Sequence, residues 1–407
     1  MSRPLGRVRV TSPNGPPGPK NSVQRGFGLG LFGLSGAKQV QHRRLLLPAM
    51  SKPATEGFAR PMRWVIDETL AGWRTGQQLD LAAAMKKLGL QIAGRLLFGL
   101  EDFSDATEVA EAFQEWLDDY VRINFAQTLP LDLSASQYKD WPAAGERLEV
   151  LLRNLIRKRR ATLSDDQCDV MAFLLRAQEA GQISEAEVVG EVQTLLNASY
   201  QTTAAGLTWT LLLLAQHPNI AGDVLAQAPS DPERGSLLER VVKESLRVLP
   251  PVVFVIRRSV RATKLAGHDI REGTVVVLSQ YVTHHMAVHF PEPERFDPDR
   301  WLVQKPSPFA YLPFGAGARM CMGAMFSMQL FQLAAPAILR RFRLELTAGT
   351  RVDRHSSLTM GVKGSLPVML LPQDGRFSAV PLTGNIHEMV RLPKVPETVG
   401  RPAARAA

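Results

Sequence analysis

The chain has 407 residues, 45% hydrophobic and 21% charged, which is enough apolar content for a large buried core and too much for a disordered chain. Its two cysteines, Cys168 and Cys321, exclude a disulfide framework and a four-cysteine zinc site, and suit a reducing, cytoplasmic compartment. The net charge of +9 is concentrated at the start: eight basic residues and no acidic one fall within the first 50, so the remainder is close to neutral and no nucleic-acid partner is expected.

Residues 1–25, rich in Pro and Gly, read as a flexible basic leader that only weakly imitates a targeting peptide. From about residue 38 to 250, apolar residues return at three- and four-residue spacing. This predicts helices near 38–49, 57–74, 79–98, 105–122, 143–160, 168–179, 184–216 and 235–248. The seventh opens on a Ser184-x-x-Glu187 capping box and stops at Gln216-His217-Pro218, a span of about 48 Å. No stretch reaches the roughly 18 consecutive apolar residues of a membrane span, so no transmembrane segment is expected. After Pro250 the texture changes to Val-rich strands, at 252–258 and 274–278, and then to a Pro-rich irregular run from Pro291 to Pro313. A helix is expected near 322–341 and a hairpin near 361–371. Residues 376–407, with five basic and two acidic residues and little periodicity, read as a tail. The fold class is mainly α with small β regions.

The chemistry centres on Phe314-Gly-Ala-Gly-Ala-Arg-Met-Cys321-Met-Gly323, a glycine-bearing loop running into a helix. A cysteine at a helix N-terminus faces free N–H groups and the positive end of the helix dipole, which favour its thiolate. Gly315 and Gly317 permit a tight turn, Gly323 leaves room for a flat macrocycle, Phe314 can shield the sulfur and Arg319 can pair with a carboxylate. Cys168 lacks such a loop and reads as an incidental thiol. His284, His285 and His289 have no carboxylate at ligand spacing, so no metal is assigned to them.

At every fixed position, Phe314-x-x-Gly317-x-Arg319-x-Cys321-x-Gly323 resembles the haem-binding signature of the cytochrome P-450 family. The resemblance implies a mostly helical fold with a long helix over haem b, and Cys321 as the axial ligand of its iron. Three further segments resemble the family in the expected order. Glu244-x-x-Arg247 is expected to form a buried triad with Arg295 of Pro293-Glu-Arg-Phe296, and Arg257 to reach a haem propionate. In Ala198-Ser-Tyr-Gln-Thr-Thr203 of the long helix, Thr202 is the alcohol that helps deliver protons, with Gln201 where the family has an acid. Gly36-Ala-Lys-Gln-Val-Gln-His-Arg43 resembles the helix over one haem edge, with Arg43 on a propionate and Gln39 in place of Trp or His.

The resemblance further implies an enzyme that inserts one oxygen atom of O2 into a small apolar organic substrate. Electrons would come from a separate ferredoxin or flavodoxin and a reductase, since the haem domain, taken as residues 26–375, leaves no length for either. The pocket is expected at Asn197, Ala198, Tyr200, Val252, Val253 and Phe254. A first helix and most of a small sheet, usual in the family before Arg43, are missing from the pattern, which leaves sheet edges near Val252 and Thr274 unpaired. Together with Gln201, this keeps two alternatives open: a truncated haem-binding protein without monooxygenase activity, and a peroxide-driven haem-thiolate enzyme.

Overall fold

The computed structural model describes residues 10–11, 28–127, 141–227, 235–356, 359–393 and 398–399. In chain order the elements begin β1 (Val10–Thr11), α1 (Gly36–Leu46), α2 (Lys52–Gly57), α3 (Ala59–Ala71), β2 (Gln78–Asp80), α4 (Leu81–Phe98), α5 (Ser104–Gln127) and α6 (Trp141–Ala161). They continue with α7 (Val170–Glu179), α8 (Glu185–Gln216), α9 (Pro218–Gln227), α10 (Leu237–Val248), β3 (Val255–Ser259), β4 (Thr263–Leu265), β5 (His268–Ile270), β6 (Val275–Leu278), α11 (Gln280–His284) and α12 (Arg300–Val303). The last are α13 (Ala324–Arg341), β7 (Phe342–Leu346), β8 (Arg354–Ser356), β9 (Met360–Val362), β10 (Pro367–Pro372), β11 (Phe377–Ser378) and β12 (Thr398–Val399).

The capping box forms as the sequence predicts. Ser184 N donates to Glu187 Oε2 at 2.8 Å and Glu187 N to Ser184 Oγ at 3.3 Å, opening the 32-residue helix α8. Pro218 ends α8 and also begins α9, a helix that the periodicity did not show. A proline at the first helical position lacks only an N–H that would have no partner within the helix.

Two compact units make up the chain. The first comprises Met1–Ser51, Ala93–Ala198 and Phe254–Ser279. Within it β3 is the middle strand of the antiparallel sheet β1-β3-β6. The leader therefore contributes a strand at Val10–Thr11, and the edge of β3 expected to be unpaired is paired; the rest of the leader lies outside the described residues. In the same unit α1 is held on α8. Lys38 Nζ lies 2.5 Å from Glu187 Oε1, and the buried His42 Nδ1 lies 2.8 Å from Glu191 Oε1. Burial opposes charge on Glu187, yet hydrogen bonds from Lys38 and Ser184 pull its carboxyl down to about 2.

The second unit comprises Lys52–Ile92, Ser199–Val253 and Gln280–Ala407. Its sheet, β2-β10-β7, alternates buried and half-buried residues along β7 as a sheet covered on one face requires. The β9–β10 hairpin expected near 361–371 does not form: β9 pairs with β8, while β10 lies between β2 and β7. Trp209 is fully buried and donates its indole N–H to the Met360 carbonyl at 3.2 Å. Of the segment 376–407, expected as a tail, residues 377–392 are packed instead, and 394–397 and 400–407 lie outside the described residues. Phe377, Ala379, Leu382, Ile386, Met389 and Val390 are all buried, because these apolar residues fall irregularly between turns and leave no period to read.

Candidate active site

Helix α13 and the loop before it build the cysteine site in the second unit. Gly315 N donates to Leu312 O at 3.0 Å, Met320 N to Gly317 O at 3.0 Å and Cys321 N to Phe314 O at 2.8 Å. Both turns need left-handed backbone, at Gly315 (φ +69°) and Gly317 (φ +70°), and no atom lies within 4 Å of a Cβ placed on either. Cys321 is exposed two residues before Gly323, the N-cap of α13, at the positive end of an 18-residue helix. Phe314, Arg319 and Gly323 are half-buried around it.

The loop entrance is anchored from below. The Tyr311 hydroxyl donates to Lys243 O of α10 at 3.0 Å, and the Tyr311 ring packs on Trp301 and on His284. His284 Nε2 accepts from Leu312 N at 2.8 Å. That acceptor role requires a neutral ring. Burial, with the Arg247 cation alongside, pushes the His284 imidazole down to about 3.

Glu244 and Arg247 pair as the sequence predicts, fully buried, with Arg247 Nη2 2.8 Å and Nε 3.0 Å from the carboxylate. The third member is not Arg295. That side chain is 54% exposed and pairs with Glu292; only its backbone carbonyl accepts from Arg247. Arg300 takes the place, with Nε 2.8 Å from Glu244 Oε1 and a side chain 4% exposed. Trp301 Nε1 and Asp297 N also donate to Glu244, at 3.1 and 3.0 Å. Pro-acid-Arg-aromatic occurs twice in the sequence, at 293–296 and 298–301, so the pattern alone offers two registers. Only the fold turns the second inward.

In the long helix, Thr203 is buried with its Oγ1 3.3 Å from Ser327 Oγ of α13, six residues after Cys321, whereas Thr202 is half-buried. Gln201 donates its amide to the Tyr200 hydroxyl at 3.0 Å, and burial raises the Tyr200 phenol above its ordinary value. Tyr200 belongs to the second unit with Val252 and Val253, which are half-buried. Asn197, Ala198 and Phe254 belong to the first unit; Asn197 Oδ1 is buried without a hydrogen-bond partner, and Phe254 is 42% exposed. Arg43 and Arg257 also lie in the first unit. Arg43 is half-buried on α1 beside the buried Gln39 and His42. Arg257 is half-buried on β3, donates to the Ile256 carbonyl at 2.9 Å, and has its pKa lowered by burial.

The donor set suits one kind of metal centre. Among the described residues no three His, Cys, Asp or Glu side chains converge on a common point, so a bare ion has no cage. An exposed thiol on a glycine loop with open space beside it fits a metal whose other ligands come with a macrocycle.

The cytochrome P-450 family model matches residues 11–372. The chain belongs to that family. This cytochrome P-450 is 31% identical to cyclooctatin synthase of Streptomyces melanosporofaciens over 91% of the chain and 83% of that protein. It is 29% identical to cyclooctat-9-en-7-ol 5-monooxygenase of the same organism, over 83% of the chain and 77% of that protein. Among solved structures it is similar to CYP175A1 from Thermus thermophilus, with a TM-score of 0.69 and 27% identity over 86% of this chain and 82% of that one. As a cytochrome P-450 it is a haem-iron monooxygenase, using O2, an organic substrate and electrons from redox partners. Among the described residues, no helix is long and apolar enough to cross a membrane.

Proposed function

We propose that this cytochrome P-450 holds haem b on Cys321 and oxygenates a small, largely apolar substrate in the cytoplasm, with electrons from a separate ferredoxin or flavodoxin and its reductase. The observation that carries this reading is the exposed Cys321 thiol, set by the Phe314 carbonyl and two left-handed glycines ahead of α13. Haem iron, when bound, supplies the activation and transfer of oxygen. The positive end of α13 favours a thiolate at Cys321, Phe314 would shield the sulfur and Arg319 would pair with a haem carboxylate. Arg43 and Arg257 are the cations assigned to the propionates; the half-burial of Arg257 supports an anionic partner, which would repay its desolvation. Thr202 offers a hydroxyl that holds a water and passes a proton. The buried Oδ1 of Asn197 is suited to accept from a substrate hydroxyl, because an unmade hydrogen bond at a buried acceptor is costly. Tyr200, Ala198, Val252, Val253 and Phe254 supply apolar surface.

The test is a Cys321→Ser variant. The parent should take up one haem and give a thiolate-type absorbance when reduced with CO, and the variant should lose that band. Retention of the band by Cys321→Ser refutes the ligand assignment.

One observation favours a second reading, in which peroxide replaces O2 and reductant. Gln201 cannot titrate, and its amide is engaged by Tyr200. Turnover with peroxide exceeding turnover with reduced ferredoxin would favour it; the reverse would remove it.

A further inference from the structure

The family match stops at residue 372, yet the next twenty residues, Gln373 to Leu392, are built into the second unit. Ile386, Met389 and Val390 are completely buried, and the segment is tied along two flanks. On one flank Val352 N donates to Thr383 O at 2.8 Å, Asn385 N to Asp353 Oδ1 at 2.8 Å and Arg354 N to Asn385 Oδ1 at 2.8 Å. Gly384 makes that flank possible. Its φ is +102°, and a Cβ there would run into the Val352 carbonyl oxygen and the Asp353 carboxylate.

On the other flank Arg391 N donates to Glu294 O at 2.7 Å, and His285 Nε2 lies 3.2 Å from Met389 O. His285 directly follows His284, whose Nε2 accepts from Leu312 N at the head of the cysteine loop. Two adjacent imidazoles thus connect the Met389 carbonyl to the Leu312 amide. The His285 ring also stacks on Tyr281 at 4.2 Å, and its Nδ1 lies 2.9 Å from the Tyr281 carbonyl; burial favours the neutral ring, which donates to one carbonyl only, so with its proton on Nε2 toward Met389 it is braced against α11 by the stacking. Three residues beyond Leu312 comes Gly315, which begins the turn that ends at Cys321.

We propose that residues 373–392 are a positioning strap for the thiolate: by holding His285 through Met389 they fix α11, and through His284 and Leu312 they fix the loop that presents Cys321. The strap touches no reacting atom, and its role rests on Cys321 being the haem ligand. A segment that merely covered apolar surface would have no reason to set the Met389 carbonyl on His285, the neighbour of the histidine that accepts from Leu312 N.

The experiment uses the full-length haem-loaded chain and three variants: Gly384→Ala, His285→Leu and the conservative His285→Gln. Two readouts are followed, amide hydrogen exchange at Leu312 and Cys321 and the absorbance of the reduced CO complex. Gly384→Ala and His285→Leu should speed exchange at both amides by roughly three- to tenfold, about the effect of losing one hydrogen bond. They should also convert part of the thiolate-type band to the non-thiolate type. His285→Gln, which keeps an N–H donor, should restore both toward the parent. Faster exchange confined to residues 377–392, with the loop amides and absorbance unchanged, overturns the strap. If Gly384→Ala does not fold, the His285→Leu and His285→Gln pair decides by the same criteria. Cys321→Ser measured in parallel separates the two readings: a thiolate band that survives it overturns the ligand assignment, whatever the strap variants do.

Discussion

Replacing Arg300 by alanine tests the buried ion network where sequence pattern and fold disagree. In the folded protein Glu244 is fully buried and receives Arg247 Nη2, Arg300 Nε, Trp301 Nε1 and the Asp297 amide, all within 3.1 Å. Arg300 also donates to the carbonyls of Pro291, Glu292 and Arg295 at 2.9 to 3.3 Å, so its loss leaves a carboxylate half-compensated and three acceptors without this donor. Removing one member of a buried pair typically costs about 3–5 kcal/mol, a large share of the roughly 5–15 kcal/mol that holds a domain together. Arg300→Ala should therefore shift the denaturant midpoint strongly with little change in slope. Arg295→Ala, on an exposed side chain, should not shift it measurably. Denaturant titrations of the two variants beside the parent, followed by circular dichroism, decide the matter. Equal destabilisation by both substitutions, or a larger effect of Arg295→Ala, would refute the assignment of Arg300 to the network.

Two other outcomes follow from the same geometry. His284 is held neutral in the fold, with its pKa moved from 6.5 to about 3, so between those values the unfolded chain binds the extra proton and stability rises with pH. Stability should be fully present above pH 6.5 and fall by up to about 1.4 kcal/mol per pH unit below it; burial lowers His285 in the same direction. Denaturation midpoints measured at pH 7 and pH 5 should converge in His284→Gln, and an unchanged pH slope in that variant would count against the buried-imidazole account. In the long helix, Thr202→Ala should lower product formed per reducing equivalent while leaving thermal stability close to the parent. Thr203→Ala should do the opposite, costing about 1 kcal/mol through loss of its Ser327 contact. Coupling measurements on both variants discriminate, and a coupling loss confined to Thr203→Ala would move the proton-delivering alcohol by one residue.

Much of this protein is legible along the chain because the relevant forces are local. The capping box at Ser184 and Glu187, the length of α8 and the glycine turns ahead of Cys321 depend on backbone preferences and on partners a few residues apart, so spacing alone specifies them. Glu244 and Arg247 sit three apart on one helix and are equally readable. What spacing could not decide is which of two identical-looking arginines is buried. Arg295 and Arg300 differ only in which way a short meander turns, and that is set by Glu244, 51 and 56 residues earlier in the chain. The contact between His42 and Glu191 and the contact between His285 and Met389 bridge residues 149 and 104 apart, with no local periodicity to announce them. The segment from 376 to 392 reads as a tail in the sequence because its buried residues obey neither a helix nor a strand period. Sequence by itself determined the family, the glycine loop that presents Cys321 and the elements that carry it. Tertiary structure decided which charges are buried and what braces the cysteine loop, because desolvation and long-range hydrogen bonds exist only once distant segments have met.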